Sequence, residues 1–457
     1  MASRENPPDL EAAGSGTAVT TSATRALAES TMDGRTRSII AGFVLLGFVL
    51  RLAFGLGYWV GKPLTLDEQE YFLLATQVAT SHEFGYPPTP ALSPPVRHFE
   101  RPPAFAFFLA AVLAGTNDRL VAESQDNDRV LFPRSSSDVP RSIKIAQSMV
   151  GALGILLIAA LAGRAAGPRA AIAGAAIAAF YPPLIWMCAY VLSEPLYSAL
   201  ALATVWLLQK AGDSTGRRQL GLGLGAGMLA GAALLTKEAM IFFLPLAAAW
   251  LVLRRRRGLA LVLAAGVAVV AVPWIVRNYL VHDRFVLTAA HGGVTLWTGN
   301  NPLSPGEGDL AANPEMARAR VAFEDSHPGL SNLDLDELYY REVLRFVSEH
   351  PLRLLALDVT KLFYTFVPIG PSYQLHSRRY YAASLVSYGL LAPVAVVGLW
   401  RLFKRGLQSR LWAVGLLFAS TVVMSLVFFP QERFRIPVID PSAIVAAAVC
   451  WGGKRSR

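Results

Sequence analysis

The sequence predicts an all-helical protein that crosses a membrane about ten times and carries two long loops on one side of it. Three observations predict this. Of the 457 residues, 53% are hydrophobic and only 16% charged, with a mean hydropathy of +0.41, whereas soluble domains carry about 25% charged residues. The apolar residues come in runs. "SIIAGFVLLGFVL" (38–50), "VGALGILLIAALAG" (150–163) and "GLALVLAAGVAVVAVPWIV" (258–276) approach or match the roughly 20 residues a helix needs to span a bilayer. Nothing alternates with period two over such lengths, which argues against a β-barrel.

Taken in order, the expected spans are 38–60, 143–163, 168–186, 190–209, 219–235, 238–253, 258–276, 382–402, 410–429 and 436–452. Residues 1–37 are rich in Ala, Ser, Thr and Gly without apolar periodicity, the composition of a disordered tail. The first apolar run starts too late, and lacks a small-residue cleavage site, for a signal peptide. It reads as a retained span, so the transmembrane domain covers 38–457. Cys188 and Cys450 sit in or at the edge of apolar runs and suggest neither a disulfide framework nor a zinc site.

Short basic loops set the orientation, because Lys and Arg flanking spans stay in the cytoplasm. "GRAAGPR" (163–169), "QKAGDSTGRRQ" (209–219), "RRRRG" (254–258), "RLFKRGLQSR" (401–410) and the tail "KRSR" all face inward if there are ten spans and both termini are cytoplasmic. Two further apolar stretches, 102–115 and 352–368, would invert some of these loops if they crossed. They are read as helices lying at the outer interface. The outer loops are then 61–142 and 277–381, longer than is common without a function. The overall basic balance is a topology signal, and no basic stripe implies a nucleic-acid partner.

The outer side holds the chemistry-bearing residues. "LTLDEQEY" (64–71) opens with a capping box, Thr65 with Glu68, which accounts for Glu68 without function. Asp67 is free to point elsewhere and shares a face with Tyr71. In "RHFERPPAF" (97–105), Glu100 and Arg101 stand just before two prolines that suit a first helical turn. "VLSEPLY" places Glu194 near the outer end of a span, where a carboxylate is costly and reads as functional; Pro195 beside it is expected to loosen the helix. In "LLTKEAM", Lys237 and Glu238 occupy a tight turn and could pair with each other. Arg277 ends the seventh span beside an aromatic anchor, Trp274. "FFPQERFRIPV" sets Arg433 and Arg435 on the outer face, against the inside bias. Guanidinium forks there suit an anion such as phosphate. Arg51, inside the first span, is expected to snorkel outward or to pair with Glu194.

These motifs, in this order, resemble the GT-C membrane glycosyltransferases, particularly bacterial relatives of protein O-mannosyltransferases and of the aminoarabinose transferases that modify lipid A. "LDEQEY" looks like the acidic first-loop motif, and "FERPPAF", "LSEPLY", "LLTKEAMIFFLPL" and "ERFRIP" look like further family segments. The closest stretch is "VPWIVRNYLVHDRFVLTAAHGGVTLWTGNNP" (272–302). The resemblance implies a GT-C fold and transfer of a sugar, with inversion, from a polyprenyl-monophosphate donor. The acceptor would be a lipid, glycan or protein on the outer side of the cytoplasmic membrane. It implies Asp67 as the base, with Glu68, Glu100 and Glu194 as supporting carboxylates. Arg101, Lys237, Arg277, Arg433 and Arg435 become candidates for the donor phosphate. It implies no metal for the chemistry; one branch of the family is associated with a zinc ion between a glutamate, matched here by Glu100, and a histidine that has no match. No metal site is assigned. The competing class is a transporter or flippase for a lipid-linked or anionic substrate. It is disfavoured because no repeat relates the two halves and the charges gather at one surface rather than at the midplane.

Overall fold

The computed structural model describes residues 32–85, 101–116, 135–289, 291–372 and 377–453. Most of the 1–37 tail and Glu100 lie outside the described residues. The described chain is helical almost throughout, with one isolated antiparallel bridge, Pro63 to Ser135.

The N-terminal half begins with α1, Gly34–Ala53, capped by Asp33 and continued by a wider turn over Phe54–Tyr58. Next come α2, Leu66–Ser81, and α3, Pro103–Thr116. Helices α4 to α6 are Arg141–Ala166, Pro168–Phe180 and Pro182–Trp186. Helices α7 to α10 are Glu194–Asp213, Gly216–Thr236, Met240–Leu253 and Arg257–His282. The second half holds α11 to α14, Gly292–Gly299, Pro314–Asp325, Asn332–Glu349 and Pro351–Phe366. It closes with α15 to α18, Arg378–Lys404, Trp412–Val427, Glu432–Arg435 and Ile439–Ala448.

Five described helices are long and apolar enough to cross a membrane: Gly34–Tyr58, Arg141–Ala166, Gly216–Thr236, Arg257–His282 and Arg378–Lys404. Shorter apolar helices correspond to most of the other expected spans. The chain is thus a multi-pass membrane protein. Two expected elements differ in detail. The span expected over 168–186 breaks after Phe180, because Pro182 and Pro183 cannot donate to the preceding turn. Pro195 does not loosen α7. It stands in the helix's first turn, where its missing N–H costs nothing, and Glu194 is the first helical residue.

Lipid supplies little drive for one apolar helix to seek another, so close backbone contact has to come from small residues. α8 carries Gly223, Gly227 and Gly231 on one face. A Cβ on Gly227 would sit 2.2 Å from the carbonyl oxygen of Leu263 on α10. Alanines of α4, α5 and α7 fill the centre of the bundle in the same way.

Arg51 is buried among these helices. It donates to the carbonyls of Gly47 (2.9 Å) and Ala178 (3.1 Å), so it neither snorkels nor meets Glu194. The two carbonyls engage its terminal nitrogens, while its Nε is buried without a hydrogen-bond partner among the described residues.

The first long loop is closed at its base. The Ser136 amide donates to the Lys62 carbonyl at 2.7 Å, beside the Pro63 bridge. Above it, α2 and α3 pack with Tyr71 edge-on to Phe105. The second loop is folded too. Asp336 of α13 accepts from the Gly293 and Val294 amides at the start of α11. Lys361 of α14 donates to Asn300 Oδ1 (2.7 Å) and to the Leu426 carbonyl (2.8 Å). This ties the loop to the end of α16. α14 turns Leu352, Leu355, Val359 and Phe363 outward, the apolar face an interfacial helix presents to a bilayer.

Candidate active site

The site grows from the start of α2. Thr65 and Glu68 form the capping box: the Glu68 amide donates to Thr65 Oγ1 (3.3 Å), and the Thr65 amide donates to Glu68 Oε2 (2.8 Å). The other oxygen of Glu68 accepts from the Val191 amide at 2.9 Å. Glu68 is therefore a buried strut that fixes α2 against the segment leading into α7. One residue earlier, Asp67 faces the opposite way.

Asp67 is held between two guanidinium groups. Arg101 Nη2 donates to its Oδ1 and Arg433 Nη1 to its Oδ2, both at 2.5 Å. Arg101 also donates through Nε to Glu70 at 2.5 Å. Arg433 donates through Nε to Glu194 at 3.1 Å, and Lys237 Nζ donates to the same Glu194 oxygen at 2.7 Å. Glu194 suits its position, since a carboxylate at a helix N-terminus meets the positive end of the dipole. Lys237 pairs with Glu194 rather than with its neighbour Glu238, which accepts instead from the Thr288 hydroxyl. Lys237 also lies over the Phe434 ring, 4.6 Å from its centre.

Five residues widely separated in the chain thus converge: Asp67, Arg101, Glu194, Lys237 and Arg433. Burial pushes the Asp67 carboxyl up, but Arg433 and Arg101 outweigh it and hold the group well below the usual carboxylate range. Burial alone would lower both arginines; Asp67 and its companion carboxylates raise them. Burial pushes the Lys237 ammonium down, against the pull of Glu194.

Two expected phosphate ligands lie elsewhere. Arg277 donates to the Phe84 carbonyl (2.8 Å) and lies over the Trp274 ring, 5.0 Å away. Arg435 points away from Arg433 into a closed cluster. It sits 3.0 Å from Asp440 and 4.1 Å from the centre of the Tyr388 ring. Residues two apart on one helical turn cannot share a face. The network contains one acid not anticipated as a site residue, Glu70. Its signal was present in the sequence, since it stands three residues after Asp67 on the same helical face. Among the described residues, no group of three or more His, Cys, Asp or Glu side chains is placed to hold a metal ion.

Structures of the Archaeoglobus fulgidus oligosaccharyltransferase share this architecture. One, tethered to an acceptor peptide, aligns with a TM-score of 0.54 at 15% identity over 92% of this chain and 49% of that one. Another, of AglB with an inhibitory peptide and a dolichol-phosphate, aligns with a TM-score of 0.53 at 15% identity over 91% of this chain and 50% of that one. The fold is GT-C. ArnT from Cupriavidus metallidurans bound to undecaprenyl phosphate aligns more loosely, with a TM-score of 0.41 at 14% identity over 92% of this chain and 78% of that one. The chain spans about half the length of the oligosaccharyltransferase structures it matches. Residues 135–278 match the family described as dolichyl-phosphate-mannose-protein mannosyltransferase. That stretch of the GT-C bundle contains Glu194 and Lys237 but not Asp67, Arg101 or Arg433. No curated protein matches the sequence.

Proposed function

We propose that the chain is an inverting glycosyltransferase that moves a sugar from a polyprenyl-monophosphate donor to an acceptor at the outer face of the cytoplasmic membrane. The observation that carries this reading is a carboxylate, Asp67, set between two arginines at the end of a membrane bundle. A base and a pair of phosphate-binding forks therefore occupy one spot. A GT-C protein of the same architecture holds dolichol-phosphate, which fits a lipid phosphate as the ligand here.

Asp67 would take the proton of the acceptor hydroxyl, a role worth on the order of 10²–10⁴-fold. Arg433 and Arg101 would stabilise charge developing on the leaving phosphate, from donors already in place before the reaction. Glu194 and Lys237 would hold Arg433 in position. With both arginines drawn onto it, Asp67 is a weak base. A phosphate that shares those guanidinium groups returns basicity to Asp67 when the donor is bound, and so couples donor binding to activation of the acceptor.

The test is direct transfer. Purified protein receives a panel of radiolabelled polyprenyl-phosphate sugars, with membrane extract as acceptor. Label is expected to leave the lipid phosphate and join an acceptor. Intact donor under every condition, with label crossing a sealed vesicle instead, would overturn the reading in favour of transport.

A further inference from the structure

Lys237 and Arg433 are like charges held side by side. Both donate to the same oxygen of Glu194, at 2.7 and 3.1 Å. Arg433 also reaches Asp67 through Nη1, whereas Lys237 has no second ion pair among the described residues. What Lys237 has in addition is the face of an aromatic ring. Its Nζ lies 4.6 Å from the centre of Phe434, and the Arg433 guanidinium lies 5.6 Å from the same centre. A ring face attracts a cation within about 6 Å, so one ring draws on both charges. Arg433 Nη2 and two N–H groups of Lys237 remain for a ligand.

Phe434 is itself braced. Its ring meets that of Phe429, centre to centre at 5.7 Å. Phe429 is buried, and the second long loop presses on it: a Cβ on Gly308 would lie 2.3 Å from the Phe429 ring. The same loop is tied to the end of α16, just before Phe429. The Asn300 side-chain amide donates to the Val427 carbonyl at 2.8 Å, beside the Lys361 bonds to Asn300 and Leu426. A continuous line of contacts therefore runs from the second loop, through two rings, to two cations of the network.

We propose that Phe434 is a positioning residue: its ring, braced by Phe429 and the Gly308 backbone, holds Lys237 and Arg433 side by side as a joint seat for the lipid phosphate. This rests on the glycosyltransferase reading above. It gives Gly308 a part in donor binding, although the atoms nearest to its missing side chain all belong to Phe429.

The test is calorimetric titration of the purified full chain in detergent with farnesyl monophosphate, and in parallel with inorganic phosphate. Phe434→Leu keeps an apolar side chain but removes the ring face, and is expected to weaken farnesyl monophosphate binding by about five- to tenfold. Phe434→Tyr keeps the ring and stays near the wild-type affinity. Gly308→Ala forces the Phe429 ring to move and weakens binding in the same direction. It leaves Phe434 in place, so the result does not hinge on Phe434→Leu folding. The double variant binds no more weakly than Phe434→Leu alone, because Gly308 acts through the ring that is gone; two independent losses of stability would add. Phe363→Leu, on the exposed face of α14, leaves affinity unchanged. Wild-type affinity in both Phe434→Leu and Gly308→Ala, or a loss in Phe434→Tyr equal to that in Phe434→Leu, overturns the role of the ring alone. Additive losses in the double variant overturn the brace from the second loop. No binding of farnesyl monophosphate by wild type or variants overturns the glycosyltransferase reading itself. Inorganic phosphate binding as tightly as the lipid phosphate overturns the lipid assignment.

Discussion

Two arginines, two residues apart in α17, end in opposite surroundings. Arg433 faces a network that reaches the surface, where its own side chain is 34% exposed and its partners come from α2 and α7. Arg435 is 3% exposed and faces Asp440, which is 0% exposed and also accepts from the Tyr181 hydroxyl at 3.1 Å. Glu432, on the same turn, accepts from the Ser384 hydroxyl of α15. The residue types in the two clusters are nearly identical. Their connections differ. The open cluster joins loop ends and is partly exposed, whereas the closed one pins three helices together. On the proposed reading, a guanidinium–carboxylate pair serves a reaction only where it can exchange a partner.

The strongest way to break this comparison is to delete each arginine. Arg435→Met leaves Asp440 and Glu432 buried without their cation, and breaking such a pair costs about 3–5 kcal/mol. A large drop in melting temperature in detergent is expected. Arg433→Met removes two pairs but leaves Asp67 with Arg101 and Glu194 with Lys237, so a smaller drop in melting temperature is expected, while transfer is abolished. Equal melting temperatures for the two variants would mean that the clusters do not differ in kind.

A finer contrast lies in pH. Burial pushes the Glu432 carboxyl up to about 7 from an ordinary 4.5, despite Ser384 and Arg435. Between those values the folded chain holds a proton that the unfolded chain has released, so stability falls as pH rises. Glu307, buried against Ser372 in the second loop, is likewise pushed up to about 7 and adds to that slope. Asp67 behaves in the opposite sense. Its depressed carboxyl contributes stability that is lost only as pH falls below the ordinary value of 3.8. Melting temperatures recorded from pH 5 to 8 should therefore decline. Glu432→Gln should shallow the decline, with Glu307 supplying the remainder. An unchanged slope in Glu432→Gln would remove Glu432 from the account.

Much of this was legible in the sequence because lipid is an exacting solvent. Apolar runs marked helices, and most acids and bases stand near their ends, which is where Asp67, Arg101, Glu194, Lys237 and Arg433 are found. Partners were less legible. Arg277 was expected on phosphate, but it lies over the Trp274 ring, and its neighbour Phe84 comes from a loop far away in the chain. Arg435 and Arg433 look alike until a one-turn helix separates their faces. Arg51 was expected to snorkel outward or to pair with Glu194, because its partners are backbone carbonyls, which no side-chain pattern shows. Pro195 looked like a breaker because the start of α7 was placed too early by a few residues.

The central claim is that Asp67 removes the acceptor's proton. Its most direct test is a single-turnover measurement of sugar transfer by wild type and Asp67→Asn, each saturated with the labelled donor that supports wild-type activity. The account predicts donor bound in both and transfer slowed by about 10²–10⁴-fold in the variant. Transfer by Asp67→Asn at the wild-type rate would contradict it.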